Sequence, residues 1–458
     1  MATYDIFTMP DDQELTNDVL LRFIRKNDTK TNKRYSKLWK AYNNDYLIFH
    51  APRKEYGKPD NRIAVNKARY LVDTFEGFFM GIPIKISSDD ENVDEYIKSI
   101  EDGYNGEDLN AELSSIVSIF GRGYRIAFVN ENGEIGSAYL DPMESFAIYN
   151  NSIDPRMLYF VRTYMDANKI RRGSVADDSY VRYFHIEGGD IVWDEEQYHG
   201  FSGVPCTEFI LNPARRGLFE DGMSAIDAFN KALSEKANDC DYYGDAYLKI
   251  IGPKIDSEDA VFLRDTRIIN LITKGTNNGT TPDADFMAKP SDDATQEHLL
   301  DRLDKEIFIT SMSCQYDEQS FGTSSGVALR FKMQAMAALS ARKWRKFSAS
   351  LKDFYKLVCS NPVTPLKEDD WKTINLIHTD NYTTNLSEEA ETASKLSGIV
   401  SRETQLSTLS IVDDVSAELE KIRQEEMDED YETDYETKRT ENETDEETEK
   451  GENENDDT

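Results

Sequence analysis

The chain has 458 residues, 39% hydrophobic and 11% aromatic, with a formal net charge of −34. That length accommodates two to four structural units with a substantial core, while the charge argues against tight, sequence-independent binding of nucleic acid by a broad basic face. Four widely separated cysteines (Cys206, Cys240, Cys314 and Cys359), with no C-x-x-C pair and no His at ligand spacing, support neither zinc nor a disulfide framework and fit reduced thiols. The first residues, MATYDIFTMPDDQE, lack the charged-then-apolar pattern of a signal segment, and no stretch approaches the ~20 apolar residues of a membrane span. The expectation is a protein assembled in cytoplasm without a membrane.

In chain order, Leu15 to Phe49 reads as polar and helical, with Leu20, Leu21, Ile24, Leu38 and Tyr42 spaced for one face. In NRIAVNKARYLVDTFEGFFMGIPIKIS, Ile63, Lys67, Tyr70, Leu71, Phe75 and Phe78 predict a helix closed by Gly81, with the strand IKIS after Pro83. A further helix ends at Gly121, a strand runs through Tyr124 to Val129, NENGE forms a hairpin turn, and YLDP ends the next strand. Between Met157 and Leu211, the alternating stretches MLYFVRTYM, SYVRYFHIE, DIVWDEE and TEFIL predict an antiparallel sheet region. The amphipathic helix SAIDAFNKALSEKANDCDYYGDAY follows, then a compact block from Leu248 to Pro290 with two strands around the helix SEDAVFLRD. The helix TQEHLLDRLDKEIFITSMS carries Leu299, Leu300, Leu303, Ile307 and Phe308 on its apolar side. Two helices flanking a small mixed block suggest a protruding unit on a helical stalk.

From Gly326 to Val358 there are 33 residues without Pro or a further Gly, enough for a helix of ~50 Å. It carries eight basic residues (Arg330, Lys332, Arg342, Lys343, Arg345, Lys346, Lys352, Lys356) against one acid, Asp353, and Ser324 or Ser325 can cap its start. The plain reading is a long core helix whose basic face pairs with acidic surface of the same or another subunit. The sharper reading turns some of these cations toward nucleic acid. The preceding GTSSG has no Lys before its serines and so is not a phosphate-cradling loop. After Glu425 eighteen acids, Glu425 included, face three bases, a net of −15, with few apolar residues. That composition predicts a disordered acidic tail, solubilising or interacting.

Two common enzyme signatures are absent: there is no G-x-G-x-x-G and no H-E-x-x-H. The five histidines are isolated, which favours structural roles. Acidic pairs such as Asp89-Asp90, Asp177-Asp178, Asp292-Asp293, Asp369-Asp370 and Asp413-Asp414 could hold Mg²⁺ in a nuclease, but an acidic chain produces such pairs by chance. No catalytic, cofactor-binding or metal residue is therefore assigned, and no cofactor is expected. A metal-dependent nuclease stands as the alternative from another class.

The stretches NKARYLVDTFEGFFMGIPIKI, IFGRGYRIAFVNENG, YLDPMESFAIY, GVPCTEFILN, SAIDAFNKALSEKANDCDYYGDAYLKIIG and FGTSSGVALRFKMQAM, in this order over roughly residues 34–427, resemble the portal proteins of tailed bacteriophages, in particular the connector type common in phages of Gram-positive bacteria. The resemblance implies an α+β portal fold: wing with N-terminal helices (1–220), stem helices (221–247 and 291–313), small α/β clip (248–290), tunnel loop (314–325), long helix and strand returning to the wing (326–384), and helical crown (385–427), before the tail (428–458). One departure is Ser313-Cys314, where relatives commonly have a Pro before the tunnel loop.

It further implies a dodecameric ring at one capsid vertex of the virion, passing double-stranded DNA during packaging and ejection. The implied partners are the large terminase, head-completion or adaptor proteins, and capsid and scaffolding proteins. Gln319, Ser320, Phe321, Gly322, Thr323, Ser324 and Ser325 would line the channel. Arg330, Lys332 and Arg342 would face the channel or a neighbouring subunit, mainly as partners for acids, and Lys254, Arg264, Arg267 and Lys274 would serve docking on the clip.

Overall fold

The structure, a computed structural model, describes residues 6–56, 58–244, 248–251, 283–286, 293–315, 326–382, 386–409, 411–412, 415–416, 418–425 and 427. The chain divides into two compact units, one of residues 1–317 and 332–381, the other of residues 318–331 and 382–458. The first is a mixed α and β assembly.

Its N-terminal helix α1 (Asn17–Lys26) starts where Thr16 Oγ1 accepts from Val19 N, and it buries Leu20, Leu21, Phe23 and Ile24. A π turn (Asn27–Thr31) separates it from α2 (Asn32–Tyr42), whose buried residues are Tyr35, Leu38 and Ala41. A π turn holds more than an α-helical turn's 3.6 residues, so it shifts the phase of everything after it. The single face predicted from Leu20 to Tyr42 is thereby corrected: Tyr42 ends half-buried and Tyr35 takes its place.

Helix α3 (Lys67–Phe79) is capped by Asn66, which accepts from Arg69 N, and buries Leu71, Val72, Phe75, Glu76, Phe78 and Phe79. Ile63 precedes this helix and Tyr70 lies on its outer side, so both fall outside the apolar face assigned to them. The unanticipated α4 (Glu91–Gly103) begins at Asp90, whose carboxylate accepts from Asn92 N and Val93 N. Helix α5 (Gly106–Phe120) ends at Gly121, whose φ of 84° is left-handed and whose missing Cβ would lie 2.2 Å from the Arg215 carbonyl oxygen. Only glycine fits there.

Six strands form the larger sheet: β1 (Phe7–Met9), β5 (Ser145–Asn150), β6 (Met157–Met165), β7 (Arg171–Ala176), β8 (Tyr180–Glu187) and β9 (Asp190–Tyr198). The β5 to β9 stretch is an antiparallel meander, and β1 adds in parallel beside β5, with Phe7 opposite Ile148. A smaller antiparallel sheet has the order β10 (Cys206–Ile210), β3 (Arg122–Val129), β4 (Ile135–Leu140). The segment TEFIL therefore leaves the sheet in which the sequence placed it. Strand β7, rich in Arg and Gly, carries too little alternation to be seen in advance.

One face of the large sheet packs under α1 through Phe7, Phe146, Ile148, Val161, Val175, Phe184 and Ile191. Its other face meets the small sheet through Ala147, Tyr149, Phe160, Ala176, Tyr124 and Cys206. Strand β5 is buried along its whole length because it is covered on both sides.

Helices α6 (Met223–Gly244) and α7 (Asp293–Ser311) pack together, joined by a Lys236–Glu297 ion pair and by Gln296 donating to Asp239. Leu300, Ile307 and Phe308 of α7 are buried, whereas Leu299 is 50% exposed, a departure from the predicted apolar side. Between these helices lies the antiparallel pair β11 (Leu248–Ile251) and β12 (Asp283–Phe286); the helix expected between them falls outside the described residues. The long helix α8 (Gly326–Ser360) is followed by β13 (Ile374–Ile377), which pairs antiparallel with β2 (Lys85–Ser88). In the second unit, α9 (Leu386–Leu396) and α10 (Arg402–Leu406) are tied by Gln405 donating to the Ala393 carbonyl. The expected acidic tail lies outside the described residues apart from Glu425 and Met427.

Candidate functional site: the long helix and its two faces

Positions 336, 339, 340, 343, 347, 351, 354 and 358 of α8 are all buried, the spacing of one helical face. All but two are apolar or aromatic. Ser340 donates to Asp380, and the other, Lys343, is fully buried.

Lys343 Nζ donates to Glu76 Oε1 at 2.5 Å, Ser114 Oγ at 2.7 Å and Ser118 Oγ at 3.0 Å. The two serine hydroxyls in turn donate to the Glu76 carboxylate, each at 2.5 Å, so α3, α5 and α8 share one closed donor and acceptor network. Its walls are aromatic, with Nζ 4.5 Å from the Phe79 ring centroid and 5.2 Å from that of Phe75. Burial pushes the Lys343 pKa down, and the Glu76 carboxylate opposes that shift. A buried cation is tolerated only when so fully partnered.

Two further contacts fix the C-terminal half of α8. Ser350 Oγ donates to the Glu208 carbonyl at 2.8 Å. Tyr355 donates to Glu101 at 2.8 Å, beside Arg125, which also pairs with Glu101 at 2.9 Å and lies 4.0 Å from the Phe354 ring centroid.

Nearby, Glu208 accepts from Arg215 at 2.7 and 2.8 Å and from Tyr149 at 2.6 Å, with Arg122 at 3.6 Å. Burial raises the Glu208 pKa, but the Arg215 hydrogen bonds and the two guanidinium charges outweigh it and hold the carboxyl below its ordinary range. Glu220, bound by Arg34 at 2.6 and 2.7 Å, is likewise held low against burial.

Where α7 ends, Met312 takes a positive φ of 54° and the chain turns toward α8, with Cys314 Sγ donating to the Lys332 carbonyl at 3.2 Å. An open groove of about 610 Å³ lies there, lined by Asp301, Asp304, Lys305, Phe308, Ile309 and Lys332 among others.

Of the residues singled out in the sequence, Gln319, Ser320, Phe321, Gly322, Thr323, Ser324 and Ser325 lie outside the described residues, as do Lys254, Arg264, Arg267 and Lys274. Arg330 belongs to α8, and nothing of its side chain is described. Lys332 is exposed at the groove and Arg342 is exposed on the outer face of α8. The structure does not bring these two together. Lys343, counted in a basic face that pairs with acidic surface of the same or another subunit, instead lies on the buried face of α8, paired with Glu76 of the same chain. The missed signal was phase, since Lys343 falls in step with Met336, Phe347 and Phe354. Among the described residues no group of three or more His, Cys, Asp or Glu side chains is arranged to hold a metal, and no helix is long and apolar enough to cross a membrane.

A family model described as "Phage portal protein, SPP1 Gp6-like" matches residues 21–432. A curated relative, the portal protein of Clostridium phage phiCD119, is 25% identical over 395 residues, covering 80% of this chain and 85% of that protein. Among solved structures, a chain from the neck of an empty gene transfer agent (GTA) particle, computed with C6 symmetry, aligns with a TM-score of 0.45 and 14% identity over 78% of this chain and 95% of that one. A chain from the virion of a native GTA particle aligns with a TM-score of 0.45 and 13% identity over 81% of this chain and 98% of that one.

Proposed function

The chain belongs to the phage portal proteins of the SPP1 Gp6-like family, and from that premise we propose that it assembles into a dodecameric ring at one capsid vertex, the channel through which double-stranded DNA enters and leaves. The observation that carries this reading is the family match over residues 21–432, nearly the whole chain. The role is structural and conductive, without a chemical step of its own.

Charge supports it. Duplex DNA carries one negative charge per ~1.7 Å of axis, and a wall neutralising many phosphates would hold it in place. A chain with a net charge of −34 repels it weakly, over a Debye length of ~8 Å at physiological salt, and so lets it slide. Exposed apolar residues on α7, Leu299 at 50% and Ile309 at 59%, suit burial against a neighbouring copy. In this reading α6 and α7 are the stem, the block between them is the clip, and Lys254, Arg264, Arg267 and Lys274 serve docking of the large terminase and later the head-completion proteins. Residues 319–325 line the channel, and residues 385–427 form the crown.

Electron microscopy of the purified full chain in negative stain tests it. Rings of about twelvefold symmetry with an open centre are expected, and a monomer at micromolar concentration counts against it. A deletion of Gln319 to Gly322 is expected to leave rings intact while impairing DNA packaging or retention; loss of rings in that variant contradicts the assignment of the loop. Mg²⁺-dependent cleavage of plasmid by the pure protein would favour the nuclease alternative.

A further inference from the structure

The outer face of α8 carries Arg342, Arg345, Lys346, Lys352 and Lys356, on one side of the helix over about 21 Å. Four are exposed and Lys346 is half-buried. None makes an ion pair among the described residues; Lys356 rests over the Trp371 ring at 5.9 Å. Arg342 and Lys346, and again Lys352 and Lys356, are like charges four residues apart, which an isolated helix disfavours. A strongly acidic chain thus concentrates five cations on one stripe of α8 against a single acid, Asp353, which lies among them and feels the charge of Lys356.

The reverse arrangement occurs on α5. Asp108 and Glu112 are exposed, four residues apart, and likewise lack an ion pair among the described residues. Beside them stands Tyr139 of β4, 38% exposed, with Asp141 just beyond the end of that strand. Burial raises the pKa of the Tyr139 hydroxyl, and Glu112, Asp108 and Asp141 lie close enough to add to that rise. Glu112 acts in the same direction on Tyr42, after burial and Asp73. Two acids four residues apart are as unfavourable locally as two bases.

Within one subunit the two surfaces are both turned away from the contact between α5 and α8. Ser114 and Ser118 of α5 face Lys343 of α8. At 3.6 residues per turn, Asp108 and Glu112 are rotated about 80 to 160° from those serines, and the basic stripe lies on the side of α8 turned away from Lys343. A head-to-tail contact, repeated around a closed ring, joins one patch of each copy to a different patch of the next.

We propose that the basic stripe of α8 docks onto the acidic patch of Asp108, Glu112, Tyr139 and Asp141 on a second copy of this chain, and that this contact sets the direction of assembly around the ring. The inference rests on the ring reading above. It gives the stripe a protein occupant; a DNA-facing stripe is the outcome the test is built to distinguish.

The test uses two full-length variants, each checked for an unchanged thermal melt. In the first, Arg342→Glu, Arg345→Glu and Lys346→Glu leave four acids, Asp353 included, against Lys352 and Lys356, so both surfaces are acidic; in the second, Asp108→Lys and Glu112→Lys make both basic. Each alone is expected to lose rings by sedimentation and negative stain, with at least a tenfold rise in the concentration needed for assembly. Mixed in equal amounts they are expected to form alternating rings, because every contact then joins opposite charges.

Rings from either variant alone would overturn the proposal, and rings of the first variant that fail to retain DNA would assign the stripe to DNA. Failure of the mixture to assemble would overturn the pairing. If the variants do not fold, the wild-type protein decides: assembly weakened at least tenfold between 50 and 500 mM NaCl is expected, and salt-independent assembly would overturn it. Wild-type protein that forms no ring under any of these conditions would sink the ring reading itself, and this inference with it.

Discussion

Lys343 and Arg342 are neighbours in sequence and opposites in environment. Lys343 is fully buried, with its ammonium shared among a carboxylate, two hydroxyls and a backbone carbonyl. Arg342 faces outward with no ion pair among the described residues. The same contrast runs along α8 from Arg342 onward: its inner face is locked to α3, α5 and the small sheet, and its outer face is a stripe of five cations with the single acid Asp353 among them. The comparison teaches that the number of charges on a helix says little about their roles, whereas their phase relative to the buried positions separates those that hold the fold from those left for a partner.

The sharpest way to break this comparison is to truncate both residues. Lys343→Ala leaves the Glu76 carboxylate buried without its cation, and a loss of about 3–5 kcal/mol is expected in denaturant unfolding. Replacing Lys343 by Met and Glu76 by Gln together should recover much of that loss, because the uncompensated charge is gone. A Lys343→Ala variant as stable as wild type would deny the network its role.

A smaller effect is expected from Glu208→Gln, about 1.5–3 kcal/mol, since charge-assisted hydrogen bonds from Arg215 are weakened inside the core. Gly121→Ala should cost about 1–3 kcal/mol, because alanine would be held at a left-handed φ against the Arg215 carbonyl. Both are read from shifts in the urea midpoint.

Acid should act on the inner network in two stages. His378, whose Nε2–H donates to the Phe79 carbonyl at 2.7 Å and whose ring stacks on Trp344, has its pKa pushed down by burial, as does His199. The unfolded chain takes up these protons first as pH falls below about 6.5, so stability drops there. Glu208 and Glu220 are also held below their ordinary values; their contribution is complete above about pH 4.5 and is lost as pH falls through their folded values. A melting temperature that is flat from pH 7 to 3 would contradict both. The smallest effect belongs to the outer face: Arg342→Ala should change monomer stability by no more than about 0.5 kcal/mol. Any larger change measured in the unassembled chain would mean that this face is part of the fold.

Much of the architecture was legible in advance. The spacing of Leu71, Phe75 and Phe78 marked α3, Gly121 marked the end of α5, NENGE marked the β3 to β4 turn, and an unbroken run after Gly326 marked α8. These are local signals, set by backbone sterics and by the period of the apolar residues, and they need no partner to be read. The family resemblance was likewise carried by short stretches in order. What the sequence left undecided depends on distant residues meeting: that β10 leaves the large sheet for β3, that a π turn resets the phase between α1 and α2, and that Leu299 faces outward.

The buried ion pair is the clearest case. Lys343 and Glu76 are 267 positions apart, and whether a lysine is a surface cation or an interior one is fixed by the dielectric around it and by the acceptors folding brings within reach. Composition determined that this protein is acidic, largely folded and without a membrane-spanning run; only the tertiary structure decided which of its charges are spent inside and which remain for another molecule.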